Sequence, residues 1–592
     1  MENKNNNNYT WDIEKMIEND IQFEELSKEI ISLTKNIKDM ENHILDNANT
    51  LTDYLKISEK LYRKLELVYT YANMVCDTDS LNNDYQKLKL KAEKLYDEVN
   101  EKLSFVKTEI LSNNLEYINT LLQTSNYLSD YKLSFEKLFR YQKYTLSDKE
   151  EALLSKVCNA LNTGSEAFYN LNNADIKLGL IKDETGKKVE LTASNYIKYV
   201  SSKNRRVRKN AFKVLYQFYY NHKNTITALL KSKIKENNIL CDIRGFNSPL
   251  EQSLYQDNIK LDVYTSLIKT VKDNLDTMYD YMEERKRILN LKKIHMYDIY
   301  TDLANMESKE IPYEEAKNII IEALSPLGED YLNIIKKAFD ERWIDVYPKK
   351  GKKSGAYSWG CYDSYPYLLT NYENDLDSLS TLAHELGHSV HSYYSKNNQI
   401  YEYANYPIFL AEIASTVNEI LLNEYLYQNA TDKNEKILYL SEFLDKVRAT
   451  IYRQTMFAEF EMIMHQKEKE GIPLTEKEFS DTYYNLNKLY YGKNVISDEE
   501  IRYEWMRIPH FYTSFYVYKY ATGLSCAIYI AYEILKGNQE VKENYIKFLK
   551  SGSNGYPLDI LKLVGIDLTT GEVVTDALKV FKDKLYELKK LI

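Results

Sequence analysis

The sequence predicts a mainly helical protein, on the grounds of its length, its few helix-breaking residues and its apolar periodicity. Its 592 residues are enough for two or more hydrophobic cores or for one very large helical body. Glycine and proline number only 17 and 9, which favours long helices over a turn-rich β fold. Apolar residues recur every three or four positions over much of the chain, as they do on one face of an α-helix.

The N-terminal part carries no recognisable chemistry. Residues 1–10 are rich in asparagine, and we expect a disordered lead there. From residue 11 to residue 199 we expect a helical region, with an inter-helix turn at Thr78–Asp84. Within it, two short alternating runs at 176–191 surround Gly186 and predict a β-hairpin. We place the second and catalytic domain at residues 200–592.

Charge and composition limit the partners of the chain. The net charge is −10 and no basic block is present, so nucleic acid is not an expected partner. No stretch approaches 18 consecutive apolar residues, and no apolar leader is visible at the start, so we expect no membrane contact. The five cysteines are scattered, which suits free thiols in a reducing compartment. We therefore predict a cytoplasmic protein, whose oligomeric state the sequence does not indicate.

The strongest functional signal is His384-Glu-Leu-Gly-His388, in a chain that has only eight histidines. Residues four apart on a helix project from one face, so these two imidazoles can chelate a single zinc ion. Glu385 is the next residue and can reach a water on that zinc. An apolar stripe roughly opposite the histidines and a capping carboxylate at Asp375 favour a helix here. Without a third ligand, the same pattern would fit two partly exposed helix histidines beside an acid.

A second predicted helix starts after Pro407 and supplies a candidate third ligand. Glu412 and Glu419 are seven residues apart and therefore share a face, and small residues beside Glu412 suit a carboxylate at a buried metal site. The alternative is a solvated pair of glutamates on an exposed face. The upstream histidines favour the ligand, and we expect one Zn²⁺ bound by His384, His388 and Glu412.

Two further features accompany the predicted metal helix. Gly387 is unusual because glycine inside a helix costs about 1 kcal/mol relative to alanine. We therefore expect another helix to approach it closely behind the metal, where no side chain fits. Just before this helix, Ala356–Gly360 and Tyr367–Asn371 predict short strands, which would form a small β element beside the metal.

The segments around this site resemble oligoendopeptidase F, a bacterial branch of the thimet oligopeptidase and neurolysin family of zinc metallopeptidases. The spacing from His384 to Glu412 and Glu419 matches the third ligand of that family and its following glutamate. The similarity extends over nearly the whole chain. The segments that carry it are Tyr144–Glu151, Arg205–Arg208, Gly351–Gly360, Pro366–Tyr372, Thr381–His388 and Ile508–Gly523.

The resemblance implies a large helical zincin-type metallopeptidase that encloses a deep channel, which admits short peptides and excludes folded proteins. It implies an endopeptidase that hydrolyses internal bonds of short oligopeptides. In such an enzyme Glu385 takes a proton from the zinc-bound water and returns it to the leaving amine. Glu419 would orient a ligand histidine through its second ring nitrogen.

The resemblance also assigns a role to His510. In thimet-like enzymes a histidine followed by tyrosines donates hydrogen bonds to the tetrahedral intermediate, and we expect a helix to open at Pro509 and to carry these tyrosines. The chain lacks the glycine-rich insert that follows the histidine in the thimet branch. We expect Tyr512 and Tyr518 to assist catalysis, with Tyr516 behind them. The alternative is that they are core residues of a chain with 55 tyrosines.

Two other functions remain open at this stage. One is a zinc exopeptidase, either an aminopeptidase or a carboxypeptidase, although the aminopeptidase motif Gly-x-Met-Glu-Asn is absent. The other is a non-catalytic helical scaffold that binds peptides. An exopeptidase would not cleave a substrate that is blocked at both ends, whereas an endopeptidase would. A non-catalytic scaffold would bind zinc but cleave no peptide.

Overall fold

The computed structural model describes residues 6–304 and 309–592, most of which are helical, as predicted. The helices of the first half are α1 (Asp20–Lys38), α2 (Ala48–Thr78), α3 (Asn83–Lys102), α4 (Phe105–Leu111), α5 (Leu115–Leu122), α6 (Asn126–Ser129), α7 (Lys132–Arg140), α8 (Asp148–Leu161), α9 (Thr163–Asn173), α10 (Tyr196–Val200), α11 (Arg205–Asn221), α12 (Lys223–Arg244), α13 (Pro249–Tyr255), α14 (Leu261–Asp273) and α15 (Leu275–Ile288). Those of the second half are α16 (Tyr313–Ala323), α17 (Glu329–Asp340), α18 (Leu376–Asn398), α19 (Ile408–Asn429), α20 (Lys433–Val447), α21 (Arg453–Lys469), α22 (Glu476–Tyr491), α23 (Tyr518–Leu535), α24 (Gln539–Lys550), α25 (Pro557–Lys562) and α26 (Glu572–Leu591).

The described strands are few and short. They are β1 (Gly179–Lys182), β2 (Lys188–Leu191), β3 (Ile294–His295), β4 (Ile344–Asp345), β5 (Tyr357–Trp359), β6 (Tyr367–Leu369) and β7 (Val495–Ile496). The antiparallel pair β1–β2 confirms the predicted hairpin, and β3 pairs with β7 in parallel. The remaining sheet has the order β4-β6-β5, in which β6 is parallel to β4 and antiparallel to β5. Strands β5 and β6 directly precede α18, as the sequence predicted.

The chain divides into two compact units, each built from separated segments. The first unit comprises residues up to 143, residues 309–422 and Ile530–Gly565. The second comprises residues 144–304, Asn423–Tyr529 and Ile566–Ile592. The boundary drawn near residue 200 and the substrate channel stay predictions. Residues 1–5 of the expected disordered lead lie outside the described part of the chain, and Asn6–Tyr9 form one turn of 3-10 helix.

In the first unit, α1, α2 and α3 pack against one another through the apolar stripes that the sequence shows. Leu61, Leu65 and Val68 of α2 are fully buried, as their spacing of three and four residues predicts. The turn between α2 and α3 falls within the predicted segment Thr78–Asp84.

Helix α18 lies at the centre of the first unit. Its N-cap is Asp375, whose carboxylate accepts a hydrogen bond from the Ser378 N–H at 2.8 Å, as predicted. The strands β5 and β6 and the helix α24 pack against it. At the α24 contact, the ring of Phe548 lies 5.5 Å from the ring of His391. Next to it, the side chain of Gln399 donates to the Lys550 carbonyl at 2.7 Å.

In the second unit, α21 is the helix around which the others pack, with α12, α14 and α22 against it. A π-helical turn, Arg448–Tyr452, joins α20 to α21 without a break. Two 3-10 helices, Glu499–Arg507 and Pro509–Tyr512, lead into α23. None of the helices described in either unit is long and apolar enough to cross a lipid bilayer.

The reason for Gly387 is visible where α18 meets α19. A Cβ atom at this position would lie 2.5 Å from Ser415 Cα and 2.8 Å from the Ala414 carbonyl oxygen. Both atoms are backbone, so they cannot move aside as a flexible side chain would. The structure therefore confirms the predicted close approach of a second helix.

We expect Gly387→Ala to destabilise the protein, because its methyl group would push the two helices apart. Overpacking of this kind costs about 1–3 kcal/mol, and contact with rigid backbone places the cost near the upper end. The matched control is Gly523→Ala in α23, where a Cβ would meet nothing within 4 Å. That change should leave the melting temperature unchanged or raise it. Equal melting temperatures for Gly387→Ala and the wild type would contradict the packing argument.

Candidate metal centre

Helix α18 presents its two predicted ligands side by side. The Nε2 atoms of His384 and His388 lie 3.2 Å apart, and the planes of the rings cross at 79°. Both residues are partly exposed, with 25% and 17% of their side chains accessible. The two imidazoles thus converge on one point, as the spacing of four residues predicts.

Helix α19 brings Glu412 to the same point. Its Oε2 atom is 3.4 Å from His384 Nε2 and 3.6 Å from His388 Nε2. The three atoms form a nearly equilateral triangle, and 46% of the Glu412 side chain remains exposed. These are the three residues that the sequence predicted as metal ligands, and the structure brings them together.

The geometry of this triangle fits a zinc ion. Zinc lies about 2.0–2.1 Å from ligand nitrogen and oxygen atoms, so a tetrahedral ion separates its ligands by about 3.3–3.4 Å. The observed separations of 3.2–3.6 Å bracket that value. Two nitrogens and one carboxylate oxygen are also the donor set of many three-ligand catalytic zinc sites.

A hydrogen bond fixes the orientation of each histidine from behind. Nδ1 of His384 lies 2.6 Å from Glu419 Oε1, which leaves its Nε2 to face the triangle. Burial disfavours the charged form of His384, but the hydrogen bond and negative charge of Glu419 outweigh the effect of burial, so the pKa of His384 is raised. His388 hydrogen-bonds to the backbone of Ala411, while burial and the charge of His384 lower its pKa to about 3.

Glu385 is positioned for proton transfer. Its side chain lies beside the triangle and is 8% exposed, and its carboxylate accepts a hydrogen bond from the Ser358 N–H of β5. Burial is the main influence that raises its pKa, to about 7, and the charge of Glu412 adds to it. A carboxyl group with a pKa near neutrality can both accept and return a proton at physiological pH.

His391 does not reach the triangle. It is 1% exposed, and its ring stacks on Tyr406 with centroids 3.6 Å apart and planes within 6°. The Tyr406 hydroxyl lies 2.9 Å from Ser392 Oγ. His391 therefore serves packing behind the ligands.

In the second unit, His510 has tyrosine neighbours that differ from the predicted ones. Its Nε2 lies 3.2 Å from the Tyr520 hydroxyl, and the Tyr516 ring lies parallel to its ring at 6.2 Å. Tyr512 instead stacks on Phe168 at 4.1 Å, and Tyr518 is 1% exposed against Tyr264. His510, Tyr516 and Tyr520 form one cluster, whereas Tyr512 packs on Phe168 and Tyr518 on Tyr264.

The difference arises from a break in the helix expected after Pro509. Helix α23 begins only at Tyr518, because Phe515 has a φ of 60°, a left-handed conformation that interrupts a right-handed helix. The Phe515 N–H donates to Glu461 Oε1 at 2.9 Å, and the neighbouring Ser514 hydroxyl accepts from Asn237 at 2.8 Å. These contacts hold the turn that places Tyr516 and Tyr520 beside His510.

Comparison with protein-family models gives two matches. Residues 198–580 match the model described as peptidase family M3, and residues 109–177 match the model described as oligopeptidase F. The first match alone covers more than half of the chain.

Curated relatives match over almost the full length of the chain. Oligopeptidase PepF of Bacillus subtilis is 40% identical over 583 residues, which is 98% of this chain and 87% of the relative. The group B oligopeptidase PepB of Streptococcus agalactiae is 38% identical, with 99% and 97% of the two chains covered.

Solved structures give the same result. The oligoendopeptidase F of Enterococcus faecium has a TM-score of 0.73 at 35% identity, with 97% of this chain and 98% of that chain covered. A structure from Chlamydophila abortus has a TM-score of 0.93, also at 35% identity, with 99% and 98% covered.

We expect Glu419→Gln to weaken zinc binding about 10–100-fold, because the amide is a poorer partner for the His384 N–H than a carboxylate. Competition with a chelator of known affinity measures this directly. Glu424→Gln on the same helix is the matched control, since Glu424 forms an ion pair with Lys584 at 2.8 Å. Equal zinc affinity of Glu419→Gln and the wild type would remove the orienting role of Glu419.

The buried carboxyl of Glu461 predicts how the stability of the folded protein changes with pH. Burial raises its pKa from 4.5 to about 8, so the folded protein holds this proton more tightly than the unfolded chain does. The contribution of Glu461 to the free energy of unfolding is fully present below pH 4.5. It falls by about 1.4 kcal/mol per pH unit as the pH rises from there to about 8. Glu461→Gln, which stays neutral, should therefore gain melting temperature relative to the wild type between pH 5.5 and pH 8.

The control for this comparison is Glu459→Gln on the same helix. It breaks the 2.6 Å ion pair between Glu459 and Lys272 and should lower the melting temperature at both pH values. If the difference in melting temperature between Glu461→Gln and the wild type did not change with pH, the raised pKa of Glu461 would be contradicted.

Proposed function

The chain belongs to peptidase family M3, and from that premise we propose that it is a zinc-dependent endopeptidase that hydrolyses internal bonds of short oligopeptides. The observation that carries the proposal is the triangle of His384, His388 and Glu412, with the buried carboxyl of Glu385 beside it. Membership of the family makes the protein a peptidase. The arrangement of this site supports the finer statement about metal and mechanism.

His384, His388 and Glu412 would hold the zinc ion through Nε2, Nε2 and Oε2. When bound, zinc would act as a Lewis acid that lowers the pKa of a water towards about 7 and polarises the scissile carbonyl. The Glu412 side chain is 46% exposed, so the site is accessible to solvent on this side. Glu419 and the backbone of Ala411 hold the orientation of the two imidazoles.

Glu385 is the proposed general base and acid. It takes the proton of the attacking water and returns it to the leaving amine, which becomes the new N-terminus of the product. Proton transfer by a positioned carboxylate typically contributes about 10²–10⁴-fold to the rate. The Ser358 N–H orients this carboxylate from β5.

We also propose that His510 and a tyrosine donate hydrogen bonds to the oxyanion of the tetrahedral intermediate. We propose Tyr516 and Tyr520 as further candidates for this role, in addition to Tyr512 and Tyr518, because the Tyr520 hydroxyl lies 3.2 Å from His510 Nε2 and the Tyr516 ring lies parallel to the imidazole. The loss of one such donor typically costs about 10²–10³ in kcat.

The remaining parts of the proposal follow from composition and resemblance. We propose that residues 200–592 form the catalytic domain and that the protein degrades peptides in the cytoplasm. Nucleic acid and membranes are not among its proposed partners, in keeping with the net charge of −10.

We expect the wild-type protein to cleave an internally quenched peptide that is blocked at both ends, and Glu385→Gln to be inactive while it retains zinc. The amide keeps the size of the side chain but cannot accept the proton. Fluorescence measures cleavage, and atomic absorption measures the zinc content of each protein. Treatment with a chelator should abolish wild-type activity, and added zinc should restore it.

The control is Glu373→Gln, an exposed glutamate just before α18, which should cleave at the wild-type rate. Zinc-loaded wild type that leaves the blocked peptide intact, but trims a peptide with free ends, would show an exopeptidase instead. Cleavage by Glu385→Gln at the wild-type rate would exclude Glu385 as the base.

A further inference from the structure

An unusual helical turn lies in the second unit and has no part in the metal centre. The π-helical turn Arg448–Tyr452 joins α20 to α21; it begins at Arg448, and Arg453 directly follows it as the first residue of α21. π-helical turns are rare and occur frequently at functional sites. A π-helical turn changes the direction of the side chains that follow it, and both arginines lie within a cluster of ion pairs.

The arginines here outnumber the carboxylates that they contact. Arg448 and Arg285 share Asp445, with N–O distances of 2.9 Å each. Arg453 and Arg507 share Glu504, at 2.6 Å and 4.0 Å. Among the described residues, four guanidinium groups thus share the two carboxylates of Asp445 and Glu504.

Some of the hydrogen-bonding capacity of this cluster is unused. Nη1 of Arg448 is buried without a partner among the described residues, although unsatisfied buried donors are uncommon in proteins. The Arg507 side chain makes no hydrogen bond to any residue that the structure describes. It forms the 4.0 Å ion pair with Glu504, and its guanidinium carbon lies 5.3 Å from the Tyr196 ring centroid. A guanidinium offers five N–H donors in a planar fork, which two parallel carboxylate oxygens fit.

The outer part of the cluster is accessible to solvent. The side chains of Arg507 and Arg453 are 27% and 17% exposed, whereas that of Arg448 is 4% exposed. Tyr300 is a common neighbour, since it acts on all three arginines and Arg448 lies 5.4 Å from its ring centroid. Arg453 and Arg507 therefore form the accessible face, with Arg448 as an additional buried charge.

The cluster lies close to His510. Burial and, as a smaller influence, the positive charge of Arg453 lower the pKa of that histidine, so the two side chains interact electrostatically. Arg507 precedes His510 by three residues on the adjoining 3-10 helix. A group bound by these arginines would therefore lie near the residues that we propose to assist the reaction.

We propose that Arg453 and Arg507, supported by Arg448, bind a carboxylate of the peptide substrate. This inference rests on the proposed function and deepens it, since it names the group by which the protein recognises its peptides. A carboxylate is the expected ligand because every unmodified peptide ends in one, and because it accepts two parallel hydrogen bonds from a guanidinium. The carboxylate is supplied either by the C-terminus or by an acidic side chain.

The test compares two pairs of quenched peptides that are cleaved at the same bond. One pair differs only in a C-terminal carboxylate or carboxamide, and the other has glutamate or glutamine in the C-terminal part of an amidated peptide. We expect wild type to cleave the charged member of at least one pair with a kcat/KM about 10–100-fold higher. The pair that shows the preference identifies the source of the carboxylate.

Arg507→Gln should reduce the ratio of kcat/KM between the charged and the uncharged peptide to within about threefold, mostly through KM. Arg507→Lys should keep part of the preference, because lysine retains the positive charge but lacks the planar guanidinium. Arg502→Gln is the matched control. Arg502 lies on the same 3-10 helix, is 28% exposed and pairs with Glu499 and Asp481 outside the cluster, so the ratio should stay at the wild-type value.

Two outcomes would overturn the proposal. One is equal cleavage by wild type of both members of each pair, and the other is a preference that survives in a folded Arg507→Gln protein. Either result leaves the proposed function intact, provided that wild type still cleaves the amidated peptides and Glu385→Gln does not. Loss of all cleavage by zinc-loaded wild type would instead contradict the proposed function.

Discussion

The metal centre depends on the close approach of α18 and α19. The missing side chain at Gly387 lets the backbone of Ser415 come within the distance that a methyl group would occupy. At the same contact the Asn418 side chain donates to the Ala383 carbonyl at 3.0 Å and accepts from the Tyr331 hydroxyl at 2.8 Å. These contacts fix the register of the two helices. A different register would carry both glutamates of α19 away from the histidines.

Much of this site could be predicted from the sequence because its geometry is local. Four residues separate the histidines, and seven separate Glu412 from Glu419, so helical periodicity alone places each pair on one face. The structure adds that both glutamates contact the same imidazole, one at each ring nitrogen. Gly387 was also informative. Glycine destabilises the interior of a helix, so its presence there indicates that a neighbouring element packs too closely for a side chain.

The tyrosines beside His510 could not be predicted in the same way. Their positions depend on the left-handed Phe515, and no glycine marks that turn in the sequence. The contact that holds it comes from Glu461, which is 54 residues away in the chain. The arginine cluster is equally hidden, because its members come from separate segments and each looks like an ordinary surface charge. The division into two units is also invisible locally, since each unit is assembled from segments that are far apart.

The packing of α24 on α18 has a consequence for the synthesis of the protein. Ribosomes release a chain from its N-terminus. His384, Glu385 and His388 of α18 therefore emerge long before α24, the helix that packs against α18. Phe548 and the Lys550 carbonyl, which contact α18 through His391 and Gln399, belong to α24 and follow only after most of the second unit. A growing chain therefore carries α18 before the helix that packs against one of its faces has been made. The candidate metal centre thus reaches its final packing only after nearly the whole chain has been synthesised.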